Sequence, residues 1–366
     1  MGYKRSIFLY PISLLYGLAA GFRNFLYNSN ILKSYTFNIP IICVGNLTVG
    51  GTGKTPHTEY LINLLRPVFK VAVLSRGYKR KTSGFRFADA TSQANDIGDE
   101  PLQIYRKFPD ITVAVDRDRV HGVQTILKEK PDTGIIILDD GFQHRRITPG
   151  LSILLSDFDR LMIEDDLLPY GNLRESLSNM NRADIILITK SPETISPIQR
   201  RIIVKEMNKA PYQNLYFTYI KYKEPVSVFD NAAHDLVLSE KSKNADRCIV
   251  LVTGIANPKP LFDYLQKSFT EIIHLPFNDH HRFTLKDIEK IQESWNSLKS
   301  PLKYVITTEK DAARLREFVN IAEPFRSSFY YIPVGTDFLN DDRNEFDNLI
   351  IDYVRKNKRN NRISES

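Results

Sequence analysis

The residues with the greatest chemical potential lie in a glycine-rich segment that follows an apolar run. The run at 39–44 predicts a buried strand, and the glycines after it allow the backbone to curl around a bulky group. Lys54 and Thr55 then begin a predicted helix, with Pro56 in its first turn. Such a loop binds polyphosphate through backbone N–H groups and the helix dipole, while a lysine contacts the terminal phosphates and a hydroxyl binds Mg²⁺. The expected phosphate-binding residues are Gly50, Gly51, Thr52, Gly53, Lys54 and Thr55.

This loop departs from the strict phosphate-binding pattern at one position. That pattern has a glycine six residues before the lysine, whereas this chain has Thr48 there. The remaining glycines, with Gly45 at the end of the strand, still supply the necessary backbone freedom. A glycine-rich turn without a ligand is the alternative interpretation.

A second apolar run, at 135–138, ends in Asp139 and Asp140. A phosphate-binding loop needs an acidic residue at a strand end to hold Mg²⁺, directly or through water. We therefore expect Thr55, Asp139 and Asp140 to bind the metal. Two carboxylates that only end a turn are the alternative.

Carboxylate and imidazole groups elsewhere are candidates for proton transfer. Asp99 lies in a loop before a short predicted helix, where it is either a helix cap or a base for a substrate hydroxyl. His280 and His281 follow a predicted strand in the second half of the chain. Adjacent side chains point in different directions, which disfavours a shared metal site but allows one histidine to assist a catalytic carboxylate.

Arginine is concentrated in four predicted turns, at 75–78, 116–119, 144–146 and 172–174. Arginine binds phosphate through two parallel hydrogen bonds, so these turns suggest an anionic substrate in addition to the nucleotide. A solvated charged surface is the alternative at each turn.

The N-terminal segment is apolar and basic. Residues 6–22 carry no charge, and a helix of that length spans about 26 Å, short of the roughly 30 Å of a bilayer core. Leu14, Leu18 and Phe22 recur at helical spacing, with Arg23 close by. We interpret this segment as a helix that inserts into a membrane without necessarily spanning it. A cleaved signal peptide and a core helix are the alternatives.

The remaining chain alternates between strands and helices, which predicts two α/β domains. The first is a doubly wound parallel sheet whose ligand crevice lies at the carboxyl ends of its strands. We expect a membrane-associated helix at 1–34, a P-loop kinase domain at 35–215 and a C-terminal α/β domain at 216–366 that closes over the cleft. The predicted strands are 39–44, 70–75, 111–115, 134–139, 151–156, 184–189, 248–253, 271–276, 303–308 and 329–334, and the predicted helices include 116–130, 194–208 and 342–357.

Composition excludes several classes of protein. The two cysteines, Cys43 and Cys248, lie in separate apparent strands, which argues against structural disulfides or a zinc site. The formal charge is +7 in 366 residues, with basic residues near both ends. No nucleic-acid module is recognisable and the loops around 155–166 are acidic, so we expect no nucleic-acid partner.

These motifs, in this order, resemble the tetraacyldisaccharide 4′-kinase family, the lipid A 4′-kinases. No single motif is decisive, but the set is specific and covers most of the chain, and the family shares the irregular phosphate-binding loop. The matching motifs are GNLTVGGTGKTP at 45–56, SRGY at 75–78, GDEP at 98–101, LDDGFQHR at 138–145, GNLRE at 171–175, TGIANP at 253–258, FNDHHRF at 277–283 and TEKDA at 308–312.

The resemblance implies transfer of the γ-phosphate of ATP, with Mg²⁺, to the 4′-hydroxyl of a tetraacylated glucosamine disaccharide 1-phosphate. It implies a site at the cytoplasmic face of the bacterial inner membrane, reached through the N-terminal helix. Asp99 matches the catalytic carboxylate, His280 matches the histidine that works with it, and Lys54 matches the phosphate-binding lysine. Positions associated with the lipid head group match Arg76, Arg117, Arg119, His144 and Asn172.

A membrane-associated ATPase or a nucleotide switch acting on a protein partner is the alternative function. Guanine-binding switches carry an Asn/Thr-Lys-x-Asp run, and residues 189–192 read Thr-Lys-Ser-Pro, without the aspartate. The sequence therefore favours the kinase.

Overall fold

Strands and helices alternate along most of this computed structural model, which describes residues 6–229, 236, 238, 246–279, 281–318 and 320–364. The strands are β1 (Ile41–Asn46), β2 (Val71–Ser75), β3 (Arg86–Phe87), β4 (Thr112–Val115), β5 (Ile135–Asp139), β6 (Leu151–Asp157), β7 (Ile185–Thr189), β8 (Asn214–Tyr222), β9 (Val226–Ser227), β10 (Arg247–Thr253), β11 (Glu271–Pro276), β12 (Leu302–Thr308), β13 (Phe329–Ile332) and β14 (Val334–Phe338). The helices are α1 (Tyr10–Asn28), α2 (Lys54–Leu65), α3 (Ala94–Ile97), α4 (Asp99–Lys107), α5 (Arg119–Glu129), α6 (Pro197–Glu206), α7 (Lys259–Leu265), α8 (Leu285–Ser297), α9 (Glu309–Leu315) and α10 (Asp342–Ser364). The predicted α/β class is confirmed.

The chain divides into two units. Unit 1 contains the residues up to 220 and those from 336 onward, and unit 2 contains residues 221–335. The sequence placed everything after residue 215 in one C-terminal domain, whereas the last helix returns to unit 1.

The large sheet has the strand order β14-β8-β7-β6-β1-β5-β2-β4-β3. Strand β1 lies between β5 and β6 and is parallel to both. The chain leaves β1 for β2 and β4, and only later returns to the positions on either side of β1. The carboxyl end of β1 is therefore the switch point at which such sheets bind ligands.

Both faces of this sheet are covered, which explains why its strands read as continuous apolar runs. Side chains alternate along β1, so Ile41 and Cys43 join one core cluster while Ile42 and Val44 join the other. Helices α5 and α6 cover the first face, and α2, α4 and α10 cover the second.

Helix α10 is part of the second layer. Its residues Phe346, Ile350 and Val354 are fully buried in the cluster that contains β1. The Tyr353 hydroxyl donates to the Ile41 carbonyl oxygen at 3.1 Å. The predicted C-terminal helix thus packs on the sheet that carries the phosphate-binding loop.

Unit 2 is built on a smaller sheet of order β11-β10-β12-β13-β9. Strands β10 to β13 pair in parallel, and β9 runs antiparallel to β13. Helix α8 begins with a reciprocal capping box between Thr284 and Asp287.

Helix α1 packs on the rest of unit 1 with its polar and small residues rather than its apolar ones. Ser13 Oγ donates to the Leu167 carbonyl at 2.7 Å, and Asn24 and Tyr27 are also buried. Gly17 faces Leu167 so closely that an added Cβ would lie 2.6 Å from its Cδ1. Within the described part of the chain, no helix has both the length and the hydropathy needed to cross a bilayer.

A substitution at Gly45, in β1, tests how tightly this strand packs against the loop that follows β5. A Cβ added there would lie 2.6 Å from Phe142 Cβ and 2.9 Å from its backbone N. We expect Gly45→Ala to lower the free energy of unfolding by about 1–3 kcal/mol, because neither partner is the end of a flexible side chain. Urea unfolding followed by circular dichroism measures this change.

Gly21→Ala is the matched control, because Gly21 lies in α1 with nothing within 4 Å of an added Cβ. Alanine favours the helix there by up to about 1 kcal/mol. Equal effects of the two substitutions would contradict the packing of β1 against Phe142.

Candidate functional site

The glycine-rich loop lies at the carboxyl end of β1, as predicted. Gly50 and Gly53 have φ values of 114° and 85°, in the region that favours glycine, so the backbone conformation itself requires these residues. Gly53 immediately precedes the first residue of α2, Lys54. The loop therefore directs the N-terminus of a helix at the crevice.

The first half of this loop is held by hydrogen bonds to distant segments. The Val49 amide donates to the Asn172 carbonyl at 2.8 Å, and Arg160 Nη2 donates to the Val49 carbonyl at 2.8 Å. Asn46 Nδ2 donates to the Thr48 carbonyl at 2.7 Å. Thr48, which stands where the strict pattern has glycine, is thus held in place by hydrogen bonds within the first half of the loop.

His57 holds the second half of the loop. Its Nδ1 lies 2.7 Å from the Gly53 carbonyl oxygen and its Nε2 lies 2.9 Å from Thr218 Oγ1 on β8. Burial lowers the pKa of His57 to about 4, so the ring is neutral at pH 7. A neutral ring with Nδ1 protonated donates to the carbonyl and accepts from the threonine.

Lys54 is held between the ends of two neighbouring strands. Its Nζ lies 3.3 Å from Asn46 Oδ1 on β1 and 3.6 Å from Asp140 Oδ1, directly after β5. These two contacts hold the Lys54 ammonium at the crevice where phosphate groups are expected to bind.

Asp139 and Asp140 have opposite electrostatic environments. Asp139 is buried, and desolvation together with the charge of Asp140 raises its pKa to about 6. Thr58 Oγ1 donates to it at 3.2 Å. Asp140 has a third of its side chain exposed, and despite partial desolvation Lys54 and Arg174 hold its pKa below the usual value.

These residues fit a magnesium ion. A strongly desolvated carboxylate beside a second one gains from a cation that replaces the lost water. No cluster of three or more metal-binding side chains occurs among the described residues. The adjacent pair Asp139 and Asp140 suits Mg²⁺, which usually takes one or two carboxylates and completes its shell with phosphate and water.

An anion-binding group lies beside the acid pair. Arg119 is 2 % exposed, and its Nη1 donates to the Asp116 carbonyl, while Nε and Nη2 are buried without a hydrogen-bond partner in the described structure. The charges of Asp139 and Asp140 oppose the fall in its pKa to about 10 that burial causes. Buried guanidinium donors of this kind fit an oxyanion ligand.

His144 belongs to the same group. Desolvation, followed by the charges of Arg119 and Arg76, lowers its pKa to about 4. Both arginines and His144 therefore share one electrostatic environment with the acid pair, as their assignment to a common ligand requires.

The other predicted substrate residues are placed differently. Arg117 is exposed. Asn172 directs its side chain at the buried Asp165, with Nδ2–Oδ2 at 3.0 Å, and its carbonyl supports the phosphate-binding loop. In this structure Asn172 has a clear role in holding that loop.

Asp99 is the first residue of α4, at the same edge of the sheet as the loop. The preceding Gly98 is packed against the turn at 75–78, since its added Cβ would lie 3.2 Å from Gly77 Cα. The next residue, Glu100, raises the pKa of Asp139 through its charge. Asp99 therefore begins a helix whose first turn lies close to the acid pair.

The two histidines predicted near a catalytic carboxylate belong to unit 2. His280 lies outside the described residues. His281 stacks on Phe277, with ring centroids 4.7 Å apart, and its Nε2 lies 3.0 Å from Asp287 Oδ2. This contact ties His281 to the capping box of α8.

The sequence did not reveal several contacts within the site. Asn46 and Arg174 contact Lys54 and Asp140, and Glu100 interacts with Asp139. Arg174 and Glu100 lie inside the motifs GNLRE and GDEP, so their position in those motifs was the available signal. The roles of Asn46 and His57 depend on contacts that the sequence does not reveal.

A glycine loop at the switch point of a parallel sheet, with a lysine and a strand-end acid pair, defines a P-loop protein built for phosphoryl transfer. The sequence profile described as tetraacyldisaccharide-1-P 4′-kinase matches residues 5–355. The chain therefore belongs to the tetraacyldisaccharide 4′-kinase family.

Individual relatives agree with this assignment. The tetraacyldisaccharide 4′-kinase of Bacteroides thetaiotaomicron is 47% identical over 365 residues, which are 98% of this chain and 95% of that protein. The enzyme of the same name from Flavobacterium johnsoniae is 43% identical over 349 residues, which are 95% of this chain and 97% of that protein. The crystal structure of LpxK from Aquifex aeolicus in complex with ATP matches with a TM-score of 0.69 at 26% identity, covering 94% of this chain and 98% of that one.

The opposite environments of the two carboxylates predict opposite effects on stability. The pKa of Asp139 is higher in the folded chain than in the unfolded one, so the folded chain binds more protons between pH 4 and 6 and its stability falls as the pH rises through that range. We expect Asp139→Asn to raise the free energy of unfolding by about 2–3 kcal/mol at pH 7, and to have little effect near pH 4. Urea unfolding of the metal-free protein at both pH values measures this difference.

Asp140→Asn is the matched control. The pKa of Asp140 is lower in the folded chain, so its charge stabilises the fold above the unfolded pKa and that contribution is lost as the pH falls. This variant is expected to be less stable than the wild type at pH 7. A destabilising effect of Asp139→Asn at pH 7 would contradict the uncompensated burial of Asp139.

Proposed function

We propose that this chain transfers the γ-phosphate of ATP to the 4′-hydroxyl of a tetraacylated glucosamine disaccharide 1-phosphate, with the residues given below. The observation that carries the proposal is Lys54 Nζ, held between Asn46 and Asp140 at the end of β1. Phosphoryl transfer requires mainly alignment and neutralisation of charge, and a preplaced ammonium supplies both.

The phosphate groups bind at the N-terminus of α2. Backbone N–H groups of Gly51 and of residues 53–55 would face the β- and γ-phosphates, since the Thr52 N–H donates to the Gly50 carbonyl, and Lys54 would neutralise charge that develops on the transferred group. Thr52 Oγ1 is buried without a hydrogen-bond partner in the described structure, and a phosphate oxygen would satisfy it. His57 fixes Gly53 and thereby the path of these amides.

Thr55, Asp139 and Asp140 would hold Mg²⁺. Bound there, the ion would neutralise phosphate charge and orient the γ-phosphate for in-line transfer. The raised pKa of Asp139 means that this carboxylate must lose a proton before it binds a cation, so metal binding weakens as the pH falls below about 6.

Asp99 accepts the proton of the 4′-hydroxyl. It begins α4 at the edge of the sheet where the phosphates bind, and a carboxylate is a competent base for a hydroxyl that attacks phosphorus. His280 is assigned to assist it by family resemblance alone.

The head group of the lipid acceptor is anionic and requires positive charge. Arg119 offers buried, unpartnered N–H donors, with Arg76 and His144 in the same electrostatic environment. A phosphate bound there would raise the pKa of His144, because a negative charge favours the imidazolium. Arg117 and Asn172 complete the proposed set, Asn172 by supporting the loop.

Phosphate transfer from γ-labelled ATP to a tetraacyl disaccharide 1-phosphate in mixed micelles tests the proposal. We expect Lys54→Ala to lower turnover by about a hundredfold or more, and Asp99→Asn to lower it by about 10²–10⁴. The two losses have different causes, charge neutralisation and proton transfer.

Lys130→Ala and Asp132→Asn are the matched controls, because both residues are exposed just before β5, at the opposite edge of the sheet. Neither substitution should change turnover. Lipid-independent ATP hydrolysis without labelled lipid would overturn the kinase proposal, and normal turnover of Asp99→Asn would remove its role as base.

Helix α1 seats the enzyme on a membrane surface. It buries its polar residues and exposes its apolar ones, and Leu18 is 71 % exposed. The exposed apolar residues form one continuous stripe of a helix that is otherwise tied down by hydrogen bonds. The stripe contains Ile7, Phe8, Ile12, Leu14, Leu15, Leu18, Phe22 and Phe25. In bacteria that make lipid A, the surface would be the cytoplasmic face of the inner membrane.

Cosedimentation with vesicles of phosphatidylethanolamine and phosphatidylglycerol tests this proposed binding of α1 to a membrane surface. We expect the triple variant Leu15→Asp/Leu18→Asp/Phe22→Asp to bind vesicles at least about a thousandfold more weakly, because each large apolar side chain contributes roughly 1.5–3 kcal/mol when buried. Its folding should be unaffected, since all three side chains are exposed.

Ile198→Asp/Ile202→Asp is the matched control, because these two residues are exposed apolar side chains on α6. Its vesicle binding should equal that of the wild type. Equal weakening by both sets of substitutions would argue against a specific seat at α1.

A further inference from the structure

A buried carboxylate joins the two helices that begin at the edge of the sheet where the phosphates are proposed to bind. Helix α2 begins at Lys54 and helix α4 begins at Asp99. Glu59, in α2, accepts from α4 with both of its oxygens: Lys107 Nζ lies 2.6 Å from Oε2, and Gln103 Nε2 donates to Oε1 at 2.9 Å. One side chain of α2 is therefore bonded to two successive turns of α4.

This ion pair is costly to bury. The Glu59 side chain is 6 % exposed and that of Lys107 is 20 % exposed. Removal of two charges from water costs free energy that their attraction offsets only in part, so packed apolar side chains would stabilise the contact at least as well. Apolar side chains, however, allow one helix to slide along another, whereas two directional hydrogen bonds to one carboxylate do not. The contact is therefore better suited to fixing where α4 lies along α2 than to stabilising the fold.

The two helices run in the same direction. Helix α2 follows β1, helix α4 precedes β4, and both of these strands belong to the parallel part of the large sheet. Each helix therefore runs back from the carboxyl ends of the strands, over the same face of the sheet. The first residues of the two helices consequently lie at the same edge as the acid pair.

Residue spacing places Asp99 level with the start of α2. Asp99, Gln103 and Lys107 follow one another at intervals of four residues, so they share one face of α4, the face bonded to α2. Glu59 likewise comes four residues after Thr55 on α2. Four residues of helix span roughly 6 Å, so Asp99 and Thr55 lie about equally far above the contact between Gln103 and Glu59.

Helix α2 is itself fixed on the candidate site. Lys54 Nζ lies 3.6 Å from Asp140 Oδ1. One turn later, Thr58 Oγ1 donates to Asp139 Oδ1 at 3.2 Å. Glu59 follows Thr58 directly, so the carboxylate that binds α4 belongs to a turn of α2 whose position is set by the acid pair.

We propose that Glu59 is a positioning residue for phosphoryl transfer. Its carboxylate holds α4 along α2 so that Asp99 stays level with Lys54 and Thr55, where a base must lie to accept a proton from a hydroxyl that attacks the γ-phosphate. Glu59 touches neither substrate and acts only through Gln103 and Lys107. This inference rests on the proposed kinase function and on the proposed role of Asp99 as its base.

A double-mutant cycle on phosphate transfer from γ-labelled ATP to the tetraacyl disaccharide 1-phosphate in mixed micelles tests the proposal. Glu59→Gln removes the charge and keeps the shape of the side chain. We expect it to lower kcat about tenfold or more, because a small misplacement of a reacting group is costly, and to leave KM for ATP unchanged, because the phosphate-binding loop is intact. In the Asp99→Asn background, Glu59→Gln should have no further effect on kcat, since no base remains to be positioned.

Lys107→Met breaks the same ion pair from α4 and should reproduce both results. Asp110→Asn is the matched control, because Asp110 follows α4 and forms an exposed ion pair of 3.1 Å with Arg66 at the end of α2. Its kcat should equal that of the wild type, since an exposed pair at the far end of the helices fixes little.

Two outcomes would overturn the positioning role. One is a wild-type kcat for Glu59→Gln, and the other is an equal fall in kcat on introducing Glu59→Gln into the wild type and into Asp99→Asn, which marks a loss of general structure. Failure of the proposed function is recognised separately, because Asp99→Asn alone would then retain normal turnover.

Discussion

The site depends on the parallel pairing of β1 with β5 and β6. This pairing brings Asn46, Asp139 and the loop at 157–160 to one edge, so that a single lysine can contact groups from two strands. Both faces of the sheet are buried, and a shift of register by one residue would exchange the two cores that β1 separates. The alternation of four apolar residues in β1 therefore favours the register that brings Asn46 and the end of β5 to the same edge of the sheet.

Burial of Asp139 is costly to the fold and useful to the reaction. A carboxylate with a raised pKa, beside one whose pKa is lowered, destabilises the metal-free protein at neutral pH. The same desolvation would strengthen the attraction of the Mg²⁺ ion proposed to bind there. Arg119 has the opposite charge in a similar setting: its buried Nε and Nη2 have no hydrogen-bond partner in the described structure, and the proposed anionic ligand would supply one.

The sequence predicted the parallel strands well because each is buried on both faces and therefore reads as an apolar run, as at 135–138. It predicted Lys54 and the acid pair because their positions follow directly from strand ends. It did not predict the roles of Asn46 and His57 or the contact of Arg174 with Asp140, which arise between segments up to 161 residues apart. The sequence left open which unit the last helix packs on for the same reason, since Tyr353 and Ile41 meet only in the folded chain.

Helix α1 is bonded to the segments that carry the candidate site, so its proposed association with a membrane and the proposed reaction involve the same part of the structure. Its polar face is bonded to the segments that carry the site: Tyr16 Oη donates to the Arg174 carbonyl at 2.8 Å, and Arg23 Nη2 donates to the Gln143 carbonyl at 3.1 Å. Arg174 in turn lies 3.5 Å from Asp140, which lies 3.6 Å from Lys54. Transfer of an acyl chain from a bilayer to water costs a large free energy. The enzyme must therefore bind its lipid acceptor at the membrane surface. In the proposed arrangement, a helix that exposed its apolar side to lipid and bonded its polar side to these segments would hold the arginines and carboxylates of the site close to the lipid head groups.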